Sequence, residues 1–250
     1  MRYNTIRVAA LMITIDRKEL TLSTLRHNLE NAGHPLDLFI TDNGSTDGVF
    51  EAVEEAFAPT YSKKNGYNQG VAGAFNDMLL EANSMGYNFF VLLGNDIKND
   101  TGWLLNMVTA YKNIPNSGLI ALNWGCGANP MHQTTINEIP VDLCVGVFGV
   151  MGFGKEVLDK VGYFCTDYWP YGLEDSDFNH RVTHSGFRSY YLRKCRSKHL
   201  GEDVGKQTEY RRVKDKSLER NLPKFQQNIA EYDRSKNYYV EFDNDPYKMN

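Results

Sequence analysis

The sequence predicts an α/β protein with a mostly parallel central sheet flanked by helices, followed by a helical C-terminal extension. Three observations predict this class. Short apolar runs alternate with segments of helical periodicity in the first half of the 250 residues. The run 89–93 (FFVLL) is apolar at every position, as expected of a strand buried on both faces. Asp96 follows it, at the carboxyl end of a central strand, where open α/β sheets bind ligands.

In chain order, the first half predicts strands at 6–14, 36–40, 61–64, 89–93 and 118–122. Helices are predicted between them at 20–31, 49–57, 71–85 and 103–111. Gly33 with Pro35 ends the first helix, and Gly86 ends the third. This βαβ alternation favours a parallel sheet with helices on both faces.

The second half is less regular. Residues 136–150 are strand-rich and dotted with glycine, and helices are predicted at 155–161 and 175–185, with a strand at 187–192. The tail from Lys206 has a helical pattern, and Pro223 is expected to break it.

Composition excludes some classes of protein. A net charge of −4 gives no global reason to expect nucleic acid as a partner. The four cysteines (Cys126, Cys144, Cys165 and Cys195) are far apart and form no CxxC pair, which argues against a zinc site. No signal peptide is expected, because the run 9–13 is too short, and no apolar stretch reaches membrane-spanning length. We therefore expect a soluble, cytoplasmic protein without a transmembrane segment.

Positive charge is concentrated between Lys206 and Lys224. A solvated helix face is the simpler interpretation of this basic segment. The alternative is a contact surface for a phosphate-rich acceptor or a membrane.

Polar turns follow two predicted elements of the first half. Residues 41–48 (TDNGSTDG) follow the second strand. Asx turns explain some of them, and a carboxylate there would accept hydrogen bonds from a base or ribose. In residues 65–76, Gly70 permits close backbone approach, and the helix that follows offers amide groups to an anion. GxGxxG is missing after the first strand, so this is not a dinucleotide-binding fingerprint.

Carboxylates at two further places suit catalysis. Asp96, with Asp100 as a second candidate, would bind Mg²⁺ or Mn²⁺ carrying a phosphate, although capping of a turn or helix is the simpler explanation. Residues 174–177 (EDSD) start a helix after an aromatic, glycine-broken stretch. A carboxylate there would serve as a general base, although compensation of the helix dipole is the simpler explanation.

Together these stretches resemble the GT-A glycosyltransferases, specifically the family 2 type, over roughly residues 6–201. Residues 42–48 (DNGSTDG) look like the DNGSTDG segment of this family. Residues 68–76 resemble the N-x-G-…-N stretch at which a helix of the family begins. Residues 94–96 (GND) stand where the family carries DxD. Residues 174–177 look like its EDxD segment, and His199 matches a late histidine of many members. Gly94 departs from the first acidic DxD position, so metal binding would rest on Asp96 and His199.

The resemblance implies a role for each matching residue. Asp42 would contact the nucleotide base, with Thr14 and Arg17 near it. Asp96 and His199 would hold the divalent metal, Mn²⁺ or Mg²⁺, that bridges the donor diphosphate, and Asp175 would be the general base. The remaining substrate-binding candidates are Asn43, Asn68, Gly70, Asn76 and Asn95, with Trp169, Tyr171 and Glu174 on the acceptor side.

The implied function is transfer of a sugar from a nucleotide-diphosphate-sugar donor to an acceptor hydroxyl, with inversion at the anomeric carbon, since one displacement uses one base. The glycosyltransferase domain would span 1–204, with a nucleotide-sugar half at about 1–125 and an acceptor half at about 126–204, and the extension would span 205–250. A saccharide, a lipid-linked glycan, a protein or a modified nucleic-acid base all remain possible acceptors.

Two other functions compete with this one. A sugar-nucleotide nucleotidyltransferase would share the fold class, but it needs a basic glycine-rich loop after the first strand, and residues 13–18 (ITIDRK) contain no glycine. A non-catalytic nucleotide- or glycan-binding member of the fold would not need both Asp96 and Asp175.

Overall fold

A computed structural model of the chain describes residues 5–123, 131–201 and 209–243. In the first half the elements are β1 (Val8–Thr14), α1 (Lys18–Glu30), β2 (Asp37–Asp42), α2 (Val49–Phe57), β3 (Tyr61–Lys64), α3 (Gly70–Ser84), β4 (Phe89–Leu93), β5 (Ile97–Asn99), α4 (Trp103–Asn113) and β6 (Ser117–Asn123). The predicted order is confirmed, and the bounds of α2, β3 and β4 agree with the prediction. The short strand β5 was not predicted.

The second half contains β7 (His132–Ile136), β8 (Ile139–Cys144), β9 (Met151–Gly154), α5 (Lys155–Val161), a 3₁₀ turn (Thr166–Tyr168), α6 (Glu174–His184), β10 (Arg188–His199) and α7 (Glu209–Ser235). β9 was not predicted, and β10 runs seven residues beyond the predicted strand end at Leu192, because its second part pairs with β5. His199 is therefore the last residue of a strand.

The predicted break at Pro223 is wrong, because α7 continues through it. Proline lacks an amide hydrogen and disturbs a helix interior. Here Asn221 and Asn228, on either side of Pro223, both hydrogen-bond to the segment 165–172. This packing holds the helix in place across the proline.

One ten-stranded sheet has the order β3-β2-β1-β4-β9-β6-β10-β8-β7, with β5 paired to β10. The neighbours β3, β2, β1 and β4 are all parallel. β9 is inserted antiparallel between β4 and β6, and β10 returns parallel to β6. The predicted fold class is confirmed, and the parallel strands place the carboxyl ends of β1 and β4 at the same sheet edge.

Apolar cores cover both faces of this sheet. Along β4, Phe89, Val91 and Leu93 belong to the core under α1, α2 and α4, whereas Phe90 and Leu92 belong to the core under α3, α5 and α6. Because both faces are covered, every side chain of β4 is buried. The uninterrupted apolar run is the consequence of this two-sided burial.

Candidate active site

A cavity of about 480 Å³ opens where β1 and β4 end. Its wall is formed by the residues that follow these two strands, by the start of α3, and by single residues from three distant segments. The lining residues are Ile13, Ile15, Asp16, Arg17, Val71, Phe75, Leu93, Gly94, Asn95, Asp96, Tyr171, His199 and Lys214. Five of the predicted site residues (Arg17, Asn95, Asp96, Tyr171 and His199) therefore line one cavity.

Strand β5 brings His199 to Asp96. The antiparallel pairing of β5 with β10 places Ile97 opposite His199, and the amide of Leu200 donates to the carbonyl oxygen of Asp96 at 2.7 Å. Nε2 of His199 lies 3.3 Å from Oδ2 of Asp96, and the two side chains are 28% and 15% exposed. The two predicted metal ligands thus meet at the cavity wall.

The same oxygen of Asp96 also meets a cation, because Nη1 of Arg17 lies 3.2 Å from Oδ2. Asp16 and Arg17 both have positive φ, in a turn that precedes α1. This turn is fixed by the polar segment after β2: the amide of Asp16 donates to Oγ of Ser45, and the amide of Lys18 donates to Asp47. The segment 41–48 therefore positions Arg17.

Gly94 is glycine for a packing reason. A Cβ atom at this position would lie 2.8 Å from Cδ1 of Ile97, so the end of the Ile97 side chain would have to shift. Ile97 belongs to the sheet core. With glycine at position 94, Ile97 packs without this shift, and Asp96 is the carboxylate of this turn.

Asp42 is fully buried, and its carboxylate accepts hydrogen bonds from other residues of this chain. Oδ1 accepts hydrogen bonds from the hydroxyls of Thr14 (2.8 Å) and Ser45, and Oδ2 accepts one from the amide of Ser45 at 3.0 Å. Thr14 is also fully buried. Neither residue lines the cavity, so their predicted proximity to a base remains a prediction.

Asn43 and Asn68 both organise the backbone around Gly70. Asn43 is buried and donates to the carbonyl oxygen of Gly70 at 3.1 Å, while Oδ1 of Asn68 accepts from the amide of Gly70 at 2.8 Å. Gly70 has φ of +81°, and a Cβ there would lie 2.9 Å from Cδ1 of Trp169. The close approach that Gly70 permits is to the indole of this chain.

Asn76 is fully buried on α3. Its side chain pairs with the backbone of Phe164, donating to the carbonyl oxygen and accepting from the amide, both at 2.9 Å. Asn76 thus anchors the loop before the 3₁₀ turn and lies away from the cavity.

A second, smaller cavity of about 150 Å³ adjoins the first. The two share Val71, Phe75, Leu93 and Gly94 as lining residues. Glu174 and Asp175, at the start of α6, line the second cavity. Asp177, the last acidic residue of this motif, instead accepts from Arg181 and Tyr168 and is fully buried. Of the three acidic residues of the EDSD motif, two therefore line the cavity and one holds α6 in place.

Burial governs the protonation of both cavity carboxyls. It raises the pKa of Asp175, against the opposing effect of the amide and hydroxyl of Ser176, which donate to Oδ1 of Asp175. Burial and then the neighbouring charge of Asp175 raise the pKa of Glu174. Oε2 of Glu174 is buried without a hydrogen-bond partner among the residues that the structure describes. A carboxyl with a raised pKa, next to a cavity, is suited to accepting a proton near neutral pH.

The predicted aromatic residues lie beneath α7. Nε1 of Trp169 donates to the carbonyl oxygen of Asn68 at 3.0 Å, and Arg220 lies 5.4 Å from the indole centroid. Nζ of Lys214 lies 4.7 Å from the centroid of Tyr171. Tyr171 and Lys214 both line the larger cavity, whereas most described cations of the basic segment are exposed along the helix. Lys206 lies outside the described residues.

Sequence reasoning missed several cavity residues, including Ile15 and Asp16. These two had a usable signal, since they directly follow the first strand. Lys214 was indicated only as one member of the basic segment, because the helical periodicity of α7 does not show which turn returns to the cavity.

Comparison with known proteins places this site in a family. The model of "Glycosyl transferase family 2" matches residues 10–169, more than half of the chain. The chain belongs to glycosyl transferase family 2. A second model, "N-terminal domain of galactosyltransferase", matches residues 134–226, which include α6 and part of α7.

A curated relative of this family 2 member is an uncharacterised glycosyltransferase, R363, of Acanthamoeba polyphaga mimivirus. It is 27% identical over 187 residues, which are 72% of this chain and 69% of the viral protein.

Solved structures confirm the GT-A fold. GalNAc-T7, solved with UDP, GalNAc and Mn²⁺, superposes with a TM-score of 0.63 at 10% identity over 80% of this chain. The mannosyltransferase PcManGT of Pyrobaculum calidifontis, solved with GDP-Man and Mn²⁺, gives 0.61 at 20% identity over 80%. S. aureus TarS gives 0.61 at 15% identity over 78%. This family 2 member spans 45%, 58% and 37% of those three chains.

The donor atoms at Asp96 fit a divalent ion in this family 2 member. Adjacent ligands of an octahedral ion with bonds of about 2.1 Å lie roughly 3.0 Å apart. Oδ2 of Asp96 and Nε2 of His199 are 3.3 Å apart and border the cavity. Nδ1 of His199 accepts from the amide of Gly201 at 3.1 Å, so Nε2 carries the proton when the ring is neutral. Ligation through Nε2 would therefore require the Gly201 contact to be released.

None of the helices in the described ranges combines the length and the apolarity that crossing a membrane requires.

Proposed function

We propose that this protein transfers a sugar from a nucleotide-diphosphate-sugar donor to an acceptor hydroxyl, with a divalent metal and with inversion of anomeric configuration. One observation carries the proposal: two adjoining cavities share four lining residues, and they place Asp96, His199 and Arg17 on one side and Asp175 on the other. This arrangement provides an anion- and metal-binding end beside a basic carboxylate. The first end would stabilise the leaving diphosphate, and the second would deprotonate an acceptor that attacks in a single, inverting displacement.

At the donor end, Arg17 is placed to pair with the diphosphate, since a guanidinium binds phosphate through two parallel hydrogen bonds. Asp96 and His199 would hold the metal, which neutralises charge on the leaving nucleoside diphosphate when bound. Mn²⁺ is present with UDP in GalNAc-T7 and with GDP-Man in the mannosyltransferase PcManGT. These complexes support a nucleotide-sugar donor and a divalent ion for this chain also.

At the acceptor end, Asp175 takes the proton from the attacking hydroxyl. Its raised pKa makes it a stronger base than an exposed aspartate. Glu174 retains its proton to higher pH than an exposed glutamate does, so the pair carries less than two charges at the moment of attack. Val71 and Phe75 line both cavities and keep this region apolar.

The finer assignments belong to the same proposal. The glycosyltransferase domain would span residues 1–204, and both proposed internal boundaries lie in ranges outside the described residues. Trp169, Tyr171 and Glu174 would face the acceptor, and Asn95 would face the donor. A cytoplasmic location remains a prediction.

The proposal is tested by incubating the full chain with UDP- and GDP-sugars and Mn²⁺ and measuring release of nucleoside diphosphate, with water serving as the acceptor. We expect Asp175→Asn to lower this rate by about 10²-fold or more, because general-base catalysis contributes that much. Affinity for UDP or GDP should change little, since Asp175 lies at the other end of the joined cavities. Asp159→Asn, at an exposed aspartate of α5, is the matched control and should leave the rate unchanged.

Each alternative function predicts a different result. Donor breakdown that requires pyrophosphate would indicate a nucleotidyltransferase. Nucleotide binding without turnover of any donor would indicate a binding protein. Full turnover by Asp175→Asn would exclude Asp175 as the base.

A further inference from the structure

A cluster of three side chains whose atoms can act as metal ligands lies outside the candidate active site. His180 and His184 are one turn apart near the end of α6, and Asp233 lies in the last turns of α7. One ligand atom from each lies within 4.8 Å of the others. We propose that His180, His184 and Asp233 form a metal site, suited to zinc or a similar transition metal, that joins α6 to α7.

The geometry of His184 favours ligation. Its Nδ1 lies 2.9 Å from the carbonyl oxygen of His180, which only accepts, so Nδ1 carries the proton and Nε2 presents a lone pair. Histidine ligands of metals commonly donate their other N–H to a backbone carbonyl in this way. The tautomer needed for metal binding is therefore already fixed by the helix backbone.

The other two ligands are also oriented by contacts. Nε2 of His180 lies 3.0 Å from Oδ1 of Asp233, and the hydroxyl of Tyr238 donates to the same oxygen at 3.2 Å. The ring of Tyr238 stacks on His184 with centroids 5.6 Å apart. A metal ion between His180 and Asp233 would replace the proton that these two groups share, and that proton would pass to solvent.

The donor set favours zinc over the ions expected at the active site. Two imidazoles and one carboxylate match the ligands of zinc sites that keep one position open, whereas Mg²⁺ prefers oxygen ligands alone. With Zn–N bonds of about 2.0–2.1 Å, ligand atoms in a tetrahedral site lie roughly 3.4 Å apart. The ligand atoms here lie within 4.8 Å of one another, and the rings of His180 and His184 stack with centroids 3.9 Å apart. Zinc binding therefore requires one ring to turn out of this stack, and the exposed His184 has the space to do so. A cavity lined by Lys160, Lys236 and Tyr238 adjoins His184 and gives water access to the open position.

This site would link the two helices that serve the candidate active site. α6 begins with Asp175, and α7 places Lys214 on the larger cavity. Zinc bound at the far end of both helices would stabilise the folded chain by mass action. The inference is independent of the proposed glycosyl transfer.

Zinc binding is measured by calorimetry on the full chain carrying Asp96→Ala, which removes the carboxylate of the other candidate metal site. After treatment with EDTA and dialysis, this variant should bind one equivalent of zinc, and zinc should raise its melting temperature by several degrees. Adding His184→Gln should weaken zinc affinity by about tenfold or more, because one of the three ligands is lost. Adding His132→Gln, at an exposed histidine of β7, is the matched control and should change neither value.

Cobalt gives a second readout that does not depend on stability. Co²⁺ added to the Asp96→Ala protein should give a visible absorption band, and His184→Gln or Asp233→Asn should abolish that band. Absence of zinc uptake by the Asp96→Ala protein would overturn the proposal. Equal zinc affinity with and without His184→Gln would overturn it as well.

Discussion

Among the carboxyls that line the candidate active site, Glu174 combines burial with an oxygen atom that lacks a hydrogen-bond partner in the described residues. It is 6% exposed, and Oε2 is buried without a hydrogen-bond partner in the described part of the chain. Burial and then the charge of Asp175 raise its pKa. Because the folded state holds this proton more tightly than the unfolded chain, Glu174 favours folding at low pH, and this contribution is lost as the pH rises through the raised pKa.

We therefore predict that Glu174→Gln stabilises the protein at alkaline pH relative to the wild type. Glutamine stays neutral at every pH, whereas Glu174 must ionise in a buried site as the pH rises. The difference in melting temperature between the variant and the wild type should grow from pH 5 to pH 8.5. Glu30→Gln, at an exposed position of α1, should show no such trend. A difference that is constant with pH would contradict the raised pKa.

A second residue-scale prediction concerns Asp96. Asp96→Ala should weaken Mn²⁺-dependent binding of UDP or GDP by about tenfold or more, since loss of a ligand or its support has effects of that size. In EDTA, the affinity of the variant for UDP or GDP should stay the same or rise. Asp96 pairs with Arg17 in the wild type, so its removal leaves the guanidinium available to the phosphate groups. Calorimetry with and without Mn²⁺ measures both values.

Asp100→Asn is the control for Asp96→Ala. Asp100 accepts from the amide of Arg196, which asparagine can also do, so Mn²⁺ dependence should be unchanged. If Asp96→Ala binds nucleotide with the Mn²⁺ dependence of the wild type, Asp96 is not a metal ligand.

The sequence predicted which polar residues matter better than it predicted what each one contacts. Asp42, Asn43 and Asn76 stand in recognisable motifs, but their side chains bind Ser45, Gly70 and Phe164 of this chain. A motif shows that a polar group is needed at a position. It does not show whether that group contacts a ligand or holds the loop that does.

At the scale of elements, Asn221 makes the most backbone contacts between α7 and the aromatic segment of the site, where Asn228 also binds. Nδ2 of Asn221 lies within hydrogen-bond distance of the carbonyl oxygens of Tyr168, Tyr171 and Gly172, at 2.9, 3.1 and 3.3 Å. Leu218, one turn before, packs so closely that a Cβ at Gly172 would lie 2.6 Å from its Cδ2. The turn that carries Tyr171 is therefore shaped by the helix above it.

Asn221→Ala should lower the free energy of unfolding by about 1–3 kcal/mol, because buried carbonyl groups lose their donor. Urea denaturation followed by circular dichroism measures this change. Gln226→Ala, at an exposed amide of the same helix, should cost much less. Equal effects of the two variants would mean that Asn221 does not anchor α7.

Elements with clear apolar spacing and flanking turns were predictable, whereas β5 and β9 were not. α2, β3, β4 and α5 have the predicted bounds because their apolar spacing and flanking turns are clear. β5 and β9 have three and four residues, and β9 contains two glycines, so neither carries a periodic signal. β5 nevertheless sets the distance between Asp96 and His199, so the feature that assembles the site was the least visible in the sequence.

At the scale of the whole molecule, the sheet is continuous between its two halves. β9 lies antiparallel between β4 and β6, and β6 in turn pairs with β10, which pairs with β8. Strand order could not be predicted, because β9 comes late in the chain but pairs in the middle of the sheet. The two apolar cores extend along both halves.

This continuity predicts a single cooperative unfolding transition in urea, with tryptophan fluorescence and circular dichroism giving the same midpoint. Gly152→Ala should lower that midpoint, because a Cβ there would lie 2.9 Å from Phe89, and overpacking costs about 1–3 kcal/mol. The transition should stay single in the variant. Separate transitions for the two probes would show that the halves unfold independently.

The contact between Gly94 and Ile97 makes these two positions interdependent in any mutational scan. A larger residue at position 94 will displace the end of the Ile97 side chain, so the scan will record a packing effect at a place where the family resemblance leads us to expect an acid. Shortening Ile97 at the same time separates this packing effect from the effect of the new side chain on metal binding. A second carboxylate in this turn is therefore best introduced as a pair of substitutions, at positions 94 and 97.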